Sequence, residues 1–483
     1  MNRGIAVLAI IVLALFAGLC SQSVSLGGYD SASRRPTELV IEAITSTPSP
    51  ASPTWGTTVL SPGATVESPA ATPVVSKNTT TLEPRGELDV MRDFLKEVCT
   101  VTSLPEAKNI HARHLPYNLR ERLFSALFQA QQELPLPPLQ TTKPKEIGLP
   151  DCQNPQVKHL LTGQRRKTPW TVVDLPSGMG GGPELDFLEL RILELQGVAD
   201  LVVIGESSYN FRGDRKPRSY QINEARFEAF REFLLYLDLE RCGHFLSAIE
   251  DTRAKHGSRH DEWNIQNRQR QCLWKLLHQD RPNLPDNTFV IFSDLDEIPN
   301  REVMLTMKHC EWKPQIDRIQ LKQRVVSFNL RQVISSSAGC FPKSPWKQGA
   351  LVHLPWALRL VREDKSVPLR FESAPNLEGG AMHLSHFGNS IALVTKGFQH
   401  GEGGGLLIPR WISPCQATDQ DISKLLSVYR DDPISIVRGW ENRSNPLPKA
   451  TPSLQLLEKC HVPWALQANP ERYAAFWGQP IPR

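Results

Sequence analysis

The stretch Phe289-Val290-Ile291-Phe292-Ser293-Asp294-Leu295-Asp296-Glu297-Ile298-Pro299 decides the reading of the fold. Four apolar residues, all aromatic or β-branched, run straight into a knot of acids and a proline. A short apolar run of this kind is a strand buried on both faces. Leu201-Val202-Val203-Ile204-Gly205 repeats the pattern, and Trp170-Thr171-Val172-Val173-Asp174 is a third candidate strand. The segments between them have helical spacing. Residues 184–196 place Leu185, Leu188, Ile192 and Leu195 on one face, and residues 222–239 and 263–277 also read as helices. Strands alternating with helices predict an α/β fold with a mostly parallel sheet.

The acids at the end of the quoted run carry the chemistry. Asp294 and Asp296 stand at i and i+2, so on an extended segment both carboxylates point to one face. They follow the carboxyl end of a strand, where α/β sheets bind their ligands. Two hard oxygen donors suit Mn2+ or Mg2+ shared with substrate phosphates. Such an ion bridges a diphosphate and offsets the charge that builds on a departing nucleotide, as a nucleotide-sugar transferase requires. Glu206 and Ser207 close the second strand and reach the same crevice or cap the following turn. Arg268 and Arg270, with Arg253, Lys255, Arg259 and His260 before them, either face a diphosphate or form a solvated basic face. His383 and His386 suit metal on a helix but not on a strand. His400-Gly401-Glu402, with Gly403, Gly404 and Gly405, reads as a mobile loop, either a lid or plain surface.

The rest of the 483-residue chain sets the context. Lys and Arg number 55 against 51 Asp and Glu, which excludes a strongly basic nucleic-acid binder; 11 Trp and 18 Phe exclude a wholly disordered chain. Residues 5–20 are uncharged and apolar after Arg3, either a short signal anchor or a cleaved signal peptide. In residues 31–80, 25 of 50 are Ser, Thr or Pro, the composition of an O-glycosylated stalk. Eight cysteines beyond the apolar segment favour disulfides in an oxidising lumen, where Asn78 and Asn442 head glycosylation sequons. The expected plan is a cytosolic tail and anchor over 1–28, a stalk over 29–84, a helical lead-in over 85–168 and a catalytic domain over 169–483.

An ordered set of motifs resembles glycosyltransferase family 17. Glu184-Leu185-Asp186-Phe187-Leu188-Glu189-Leu190-Arg191 is followed by the strand ending Glu206-Ser207. Then come Phe211-Arg212-Gly213 with Lys216-Pro217, the pair Gln269-Arg270, and Asp294-Leu295-Asp296-Glu297-Ile298-Pro299. Met382-His383-Leu384-Ser385-His386-Phe387 and Phe398-Gln399-His400-Gly401-Glu402 resemble two later family segments. The resemblance implies a GT-A-like domain, UDP-GlcNAc as donor, a Mn2+ (or Mg2+) ion and single-pass type II Golgi topology. It implies inverting β-1,4 transfer of N-acetylglucosamine to a mannose of a protein-linked N-glycan. On this reading Asp294 and Asp296 bind metal and diphosphate. Glu206 and Ser207 contact the donor, with Glu206 on the nucleoside. Arg270 faces the phosphates or stabilises its helix. Glu402, then Glu297, is the candidate base, and His383 and His400 are possible substrate contacts. The alternatives are a non-catalytic glycan-binding protein of the same fold and a transferase using another nucleotide sugar, such as GDP-mannose.

Overall fold

The computed structural model describes residues 86–102, 115–132, 134, 136–144, 146–179, 184–254, 259–327, 330, 332–333, 349–362, 374–385, 387–399, 412–431, 451–452 and 462–478. The strands are β1 (Leu161–Arg165), β2 (Thr171–Ser177), β3 (Leu201–Glu206), β4 (Leu234–Asp238), β5 (Thr288–Asp294), β6 (Glu297–Pro299), β7 (Cys310–Trp312), β8 (Arg318–Ser327), β9 (Gln332–Val333), β10 (Ala350–His353), β11 (Asn376–Ser385) and β12 (Thr451–Pro452). The helices used below are α1 (Glu87–Thr102), α2 (Tyr117–Gln132), α3 (Glu184–Leu195), α4 (Ser219–Ile222), α5 (Gly243–Ala254), α6 (Arg259–Asp280), α7 (Arg301–His309), α8 (Leu354–Arg362), α9 (Ser390–Gln399) and α10 (Asp419–Asp431).

Eight strands form the main sheet in the order β4-β3-β2-β5-β10-β8-β11-β6. The first four are mutually parallel, while β10 runs antiparallel to both β5 and β8. Beyond it β8 and β11 are parallel, and β6 is antiparallel to β11. Alternate residues of the central strands feed two different cores. Val172, Val202, Ile204, Phe289 and Ile291 pack with α3 and α7 on one face. Val173, Leu175, Val203, Val290 and Phe292 pack with α5, α6 and α8 on the other. Coverage on both faces is why these strands read as unbroken apolar runs. Gly205 lets α6 lie close to β3, because a Cβ there would collide with Leu273 Cδ2.

One predicted element is corrected. Residues 222–239 are not a single helix: a 3-10 segment over Glu224–Phe233 leads into strand β4. Leu234-Leu235-Tyr236-Leu237 is apolar and aromatic, and the open edge of β3 offers it a full ladder, from Val202 opposite Leu234 to Glu206 opposite Asp238. That tertiary pairing outweighs the helical spacing upstream.

The lead-in expected to be helical contains α1 and α2. Val90, Phe94, Val98, Leu123, Phe124 and Leu127 build a third core together with Ile391, Leu393 and Val394 of α9 and Ile422 and Leu425 of α10. The Cys99–Cys415 disulfide closes this helical layer across 316 residues of sequence. Cys152–Cys310 and Cys242–Cys272 are also bonded. Cys340 and Cys460, the apolar segment 5–20, the stalk, Asn78 and Asn442 lie outside the described residues. Among the described residues no helix is long and apolar enough to cross a membrane.

Candidate active site

The chain lays β2, β3 and β4 side by side in one direction, then returns to place β5 on the opposite flank of β2. The order reverses between β2 and β5, and a parallel sheet opens a ligand crevice at such a switch point, beyond the carboxyl ends of its strands. The two residues at that point are Ser177 and Asp294, paired in register. The Ser177 hydroxyl donates to Asp294 Oδ1 at 2.6 Å, and Arg270 Nη2, reaching over from α6, donates to the same oxygen at 3.0 Å. Arg270 Nε also lies 3.3 Å from the Ser177 hydroxyl.

Asp296 does not share an extended strand with Asp294. The strand ends at Asp294, and Leu295 and Asp296 form a turn before β6. The turn is stapled on both sides. Leu295 N donates to Ser177 O at 2.8 Å, Leu384 N to Asp296 O at 2.8 Å, and Asp294 N to Glu297 Oε2 at 3.0 Å. Its outcome is that each carboxylate meets a different cation. Lys396 Nζ of α9 donates to Asp296 Oδ2 at 2.6 Å, and His383 Nε2 of β11 lies 3.5 Å from the same oxygen. Burial alone would raise the Asp296 pKa, but the Lys396 and His383 charges overcome it and hold this carboxyl well below the usual range. Burial likewise pulls His383 down, and Asp296 outweighs it and raises the imidazole.

Beneath the turn lies Arg191. It is fully buried on α3 and clamps Asp174 of β2 through two bonds of 2.7 Å. Its Nη1 donates to Asp294 O at 2.9 Å and to Glu297 O at 2.7 Å, and its Nη2 to Ser293 Oγ at 2.8 Å. Burial raises the Asp174 pKa even against the Arg191 charge. One guanidinium thus fixes the backbone on which both acids stand.

The other expected residues sit as follows. Glu206 is fully buried at the end of β3, where its carboxylate accepts the amide protons of Tyr220 at 2.8 Å and Gln221 at 3.3 Å. Ser207, also buried, donates its hydroxyl proton to Tyr209 O at 2.9 Å. Both hold the chain segments that follow β3. Glu297 is fully buried and engaged by the Asp294 amide, so it positions the turn and does not open onto the crevice. Arg268 donates to Gln271 on its own helix, while Arg270 faces the acids. His383 lies on a strand and meets Asp296, which ends the helical histidine pair as a metal site. His386, His400, Glu402 and the glycines after it lie outside the described residues.

The donor set suits a divalent ion that is only partly held by protein. Among the described residues no cluster of three or more His, Cys, Asp or Glu side chains forms a cation cage. A catalytic Mg2+ or Mn2+ needs only one or two carboxylates when phosphates complete its shell, and Asp294 and Asp296, 19% and 16% exposed, offer two hard-oxygen groups at the crevice floor.

Ser177 and Lys396 of this constellation are absent from the sequence expectations, and Arg191 enters them only as the last residue of a family motif, with no role assigned. Arg191 and Lys396 share a signal. Each is a basic residue beside apolar ones on its helix, Arg191 between Leu190 and Ile192 and Lys396 two residues after Val394, where burial demands a partner.

Comparison with known proteins bears on this geometry. Residues 156–341 match the sequence model of glycosyltransferase family 17. The chain is 30% identical over 168 residues to the beta-1,4-mannosyl-glycoprotein 4-beta-N-acetylglucosaminyltransferase of Homo sapiens, covering 33% of this chain and 28% of that protein. The proteins of that name from Rattus norvegicus and Mus musculus match at the same identity and coverage. The chain thus spans 28% of the length of these curated relatives. No solved structure matches it.

Proposed function

We propose that this chain, whose residues 156–341 match glycosyltransferase family 17, is a metal-dependent inverting glycosyltransferase. It moves N-acetylglucosamine from UDP-GlcNAc to a mannose of a protein-linked N-glycan, with the β-1,4 linkage of its named relatives. The observation that carries this reading is the position of the acids. Asp294 stands at the switch point of the parallel sheet, inside the matched segment, with Asp296 one turn residue beyond.

The roles follow from the geometry. Asp296, with Asp294, would hold Mn2+ or Mg2+, which when bound supplies positive charge to the diphosphate. Arg270, already at the crevice floor, adds a fixed guanidinium beside the same phosphates. Arg191 keeps the turn from moving as charge develops on the leaving nucleotide. Inversion requires one carboxylate to take the proton of the acceptor hydroxyl, and Glu402 is the proposed base. The three disulfides suit an oxidising lumen. The proposed location is the Golgi, with residues 5–20 as a type II anchor.

A panel of nucleotide sugars tests the reading. With Mn2+ present, the protein should hydrolyse UDP-GlcNAc, transfer to a mannose-bearing N-glycan, and leave GDP-mannose intact. Preferential turnover of GDP-mannose would reassign the donor. Glycan binding with no turnover of any donor would make it a non-catalytic member of the fold.

A further inference from the structure

Lys396 is the one residue of the constellation that comes from the helical layer. Helix α9 turns Ile391, Leu393 and Val394 into the core it shares with α1, α2 and α10, and directs Lys396 the other way, onto the acids. Its ammonium lies 5.6 Å over the Phe187 ring, and among the described residues Asp296 is its one hydrogen-bond acceptor. Arg270 is placed differently: its side chain is 2% exposed and is held by Ser177, Asn267 and Asp294 together. Lys396, 10% exposed, ends a flexible stem and carries three donor protons. Asp296 and His383 beside it keep 16% and 13% side-chain exposure, so none of the three is sealed from solvent.

We propose that Lys396 is a diphosphate-binding residue, and that its ion pair with Asp296 is the resting form of that site. In the resting chain the ammonium balances Asp296. When a nucleoside diphosphate enters with a divalent ion, Asp296 would hold that ion and release the ammonium of Lys396. The ammonium then turns to a phosphate oxygen by rotation of its flexible stem. The crevice thereby recognises the diphosphate through two protein cations of different kind: Arg270, rigid and engaged by the sheet, and Lys396, mobile and delivered by the helices. The inference rests on the sugar-nucleotide reading of the crevice.

The test compares UDP with uridine, which lacks the diphosphate, in the full chain with Mn2+ present. UDP is followed by calorimetry and uridine by ligand-observed NMR. Lys396→Met should weaken UDP about 30-fold, the loss of one charge-assisted hydrogen bond, and leave uridine affinity unchanged. Lys396→Arg should stay within about threefold of wild type for UDP, since the charge remains. Thermal melts report folding, and Lys396→Gln, which keeps a donor for Asp296, replaces the Met variant should that one not fold. Equal UDP affinity in the wild type and the uncharged variant overturns the role of Lys396 and leaves the nucleotide reading intact. A parallel loss of uridine affinity makes Lys396 a merely structural residue. A wild-type protein that binds uridine and UDP equally, or neither, overturns both proposals.

Discussion

The two carboxylates of the crevice are held by different parts of the molecule. Asp294 takes its partners from Ser177, Arg191 and Arg270, all within the segment that matches glycosyltransferase family 17. Asp296 takes its partners from His383 and Lys396, both beyond residue 341, where that match ends. The first set is buried in the sheet and its flanking helices. The second hangs on β11 and on a helical layer closed by the Cys99–Cys415 bond and by Ser390, whose amide donates to Glu87 at 3.1 Å. The difference teaches that one half of the site is built by the parallel strands β2 and β5 with their flanking helices, whereas the other is delivered by the far side of the same sheet, at β11, and by the helical layer. The sheet half is expected to be rigid, and the delivered half to tune what the site accepts.

That contrast can be broken from either side. The largest effect is expected at the residue where the halves meet. Asp296→Ala should lower transfer from UDP-GlcNAc by more than about 1000-fold, with the fold retained; near-wild-type transfer would remove this residue from the reaction. Next is Arg191→Met, which leaves Asp174 without its partner in the interior. Its cost in urea denaturation should be about 3–5 kcal/mol. Pairing it with Asp174→Leu should recover much of that stability, but not transfer, because the turn carrying the acids still lacks its clamp. Removing the Cys99–Cys415 bond as the double serine variant should cost about 2–4 kcal/mol. Its hydrogen exchange should rise in α1, α9 and α10 and not in β2 or β5, and a rise in all five would deny that the halves are separable.

The smallest effect is one of pH. Burial would raise Glu240, but bonds from Ser208 and Arg218 overcome it and lower its pKa from 4.5. A carboxylate lowered by folding lends stability above its unfolded value and loses it as pH falls through the folded one. Glu240→Gln should therefore flatten the stability profile below pH 4.5, with little change at neutral pH.

The sheet half was also the legible half. Apolar runs ending in Gly205-Glu206 and Ser293-Asp294 mark strands buried on both faces, and their carboxyl ends mark the crevice. Residues 234–238 were not legible, because an edge strand of five residues draws its stability from a neighbour rather than from its own spacing. The divergence of the two carboxylates was hidden for a similar reason. Alternation holds along a strand, and β5 stops at Asp294. The pairing of Lys396 with Asp296 spans 100 residues of sequence and depends on how α9 seats in the helical layer, which no local pattern encodes.

The central claim is that a sugar nucleotide binds where β2 and β5 part, across Asp294 and Asp296. Hydrogen exchange with and without UDP and Mn2+ locates that contact directly. Amides of residues 175–179 and 293–298 should become protected together, with those of 381–385 following through the Leu384–Asp296 bond. Protection confined to other strand ends, or none at saturating UDP, would contradict the account.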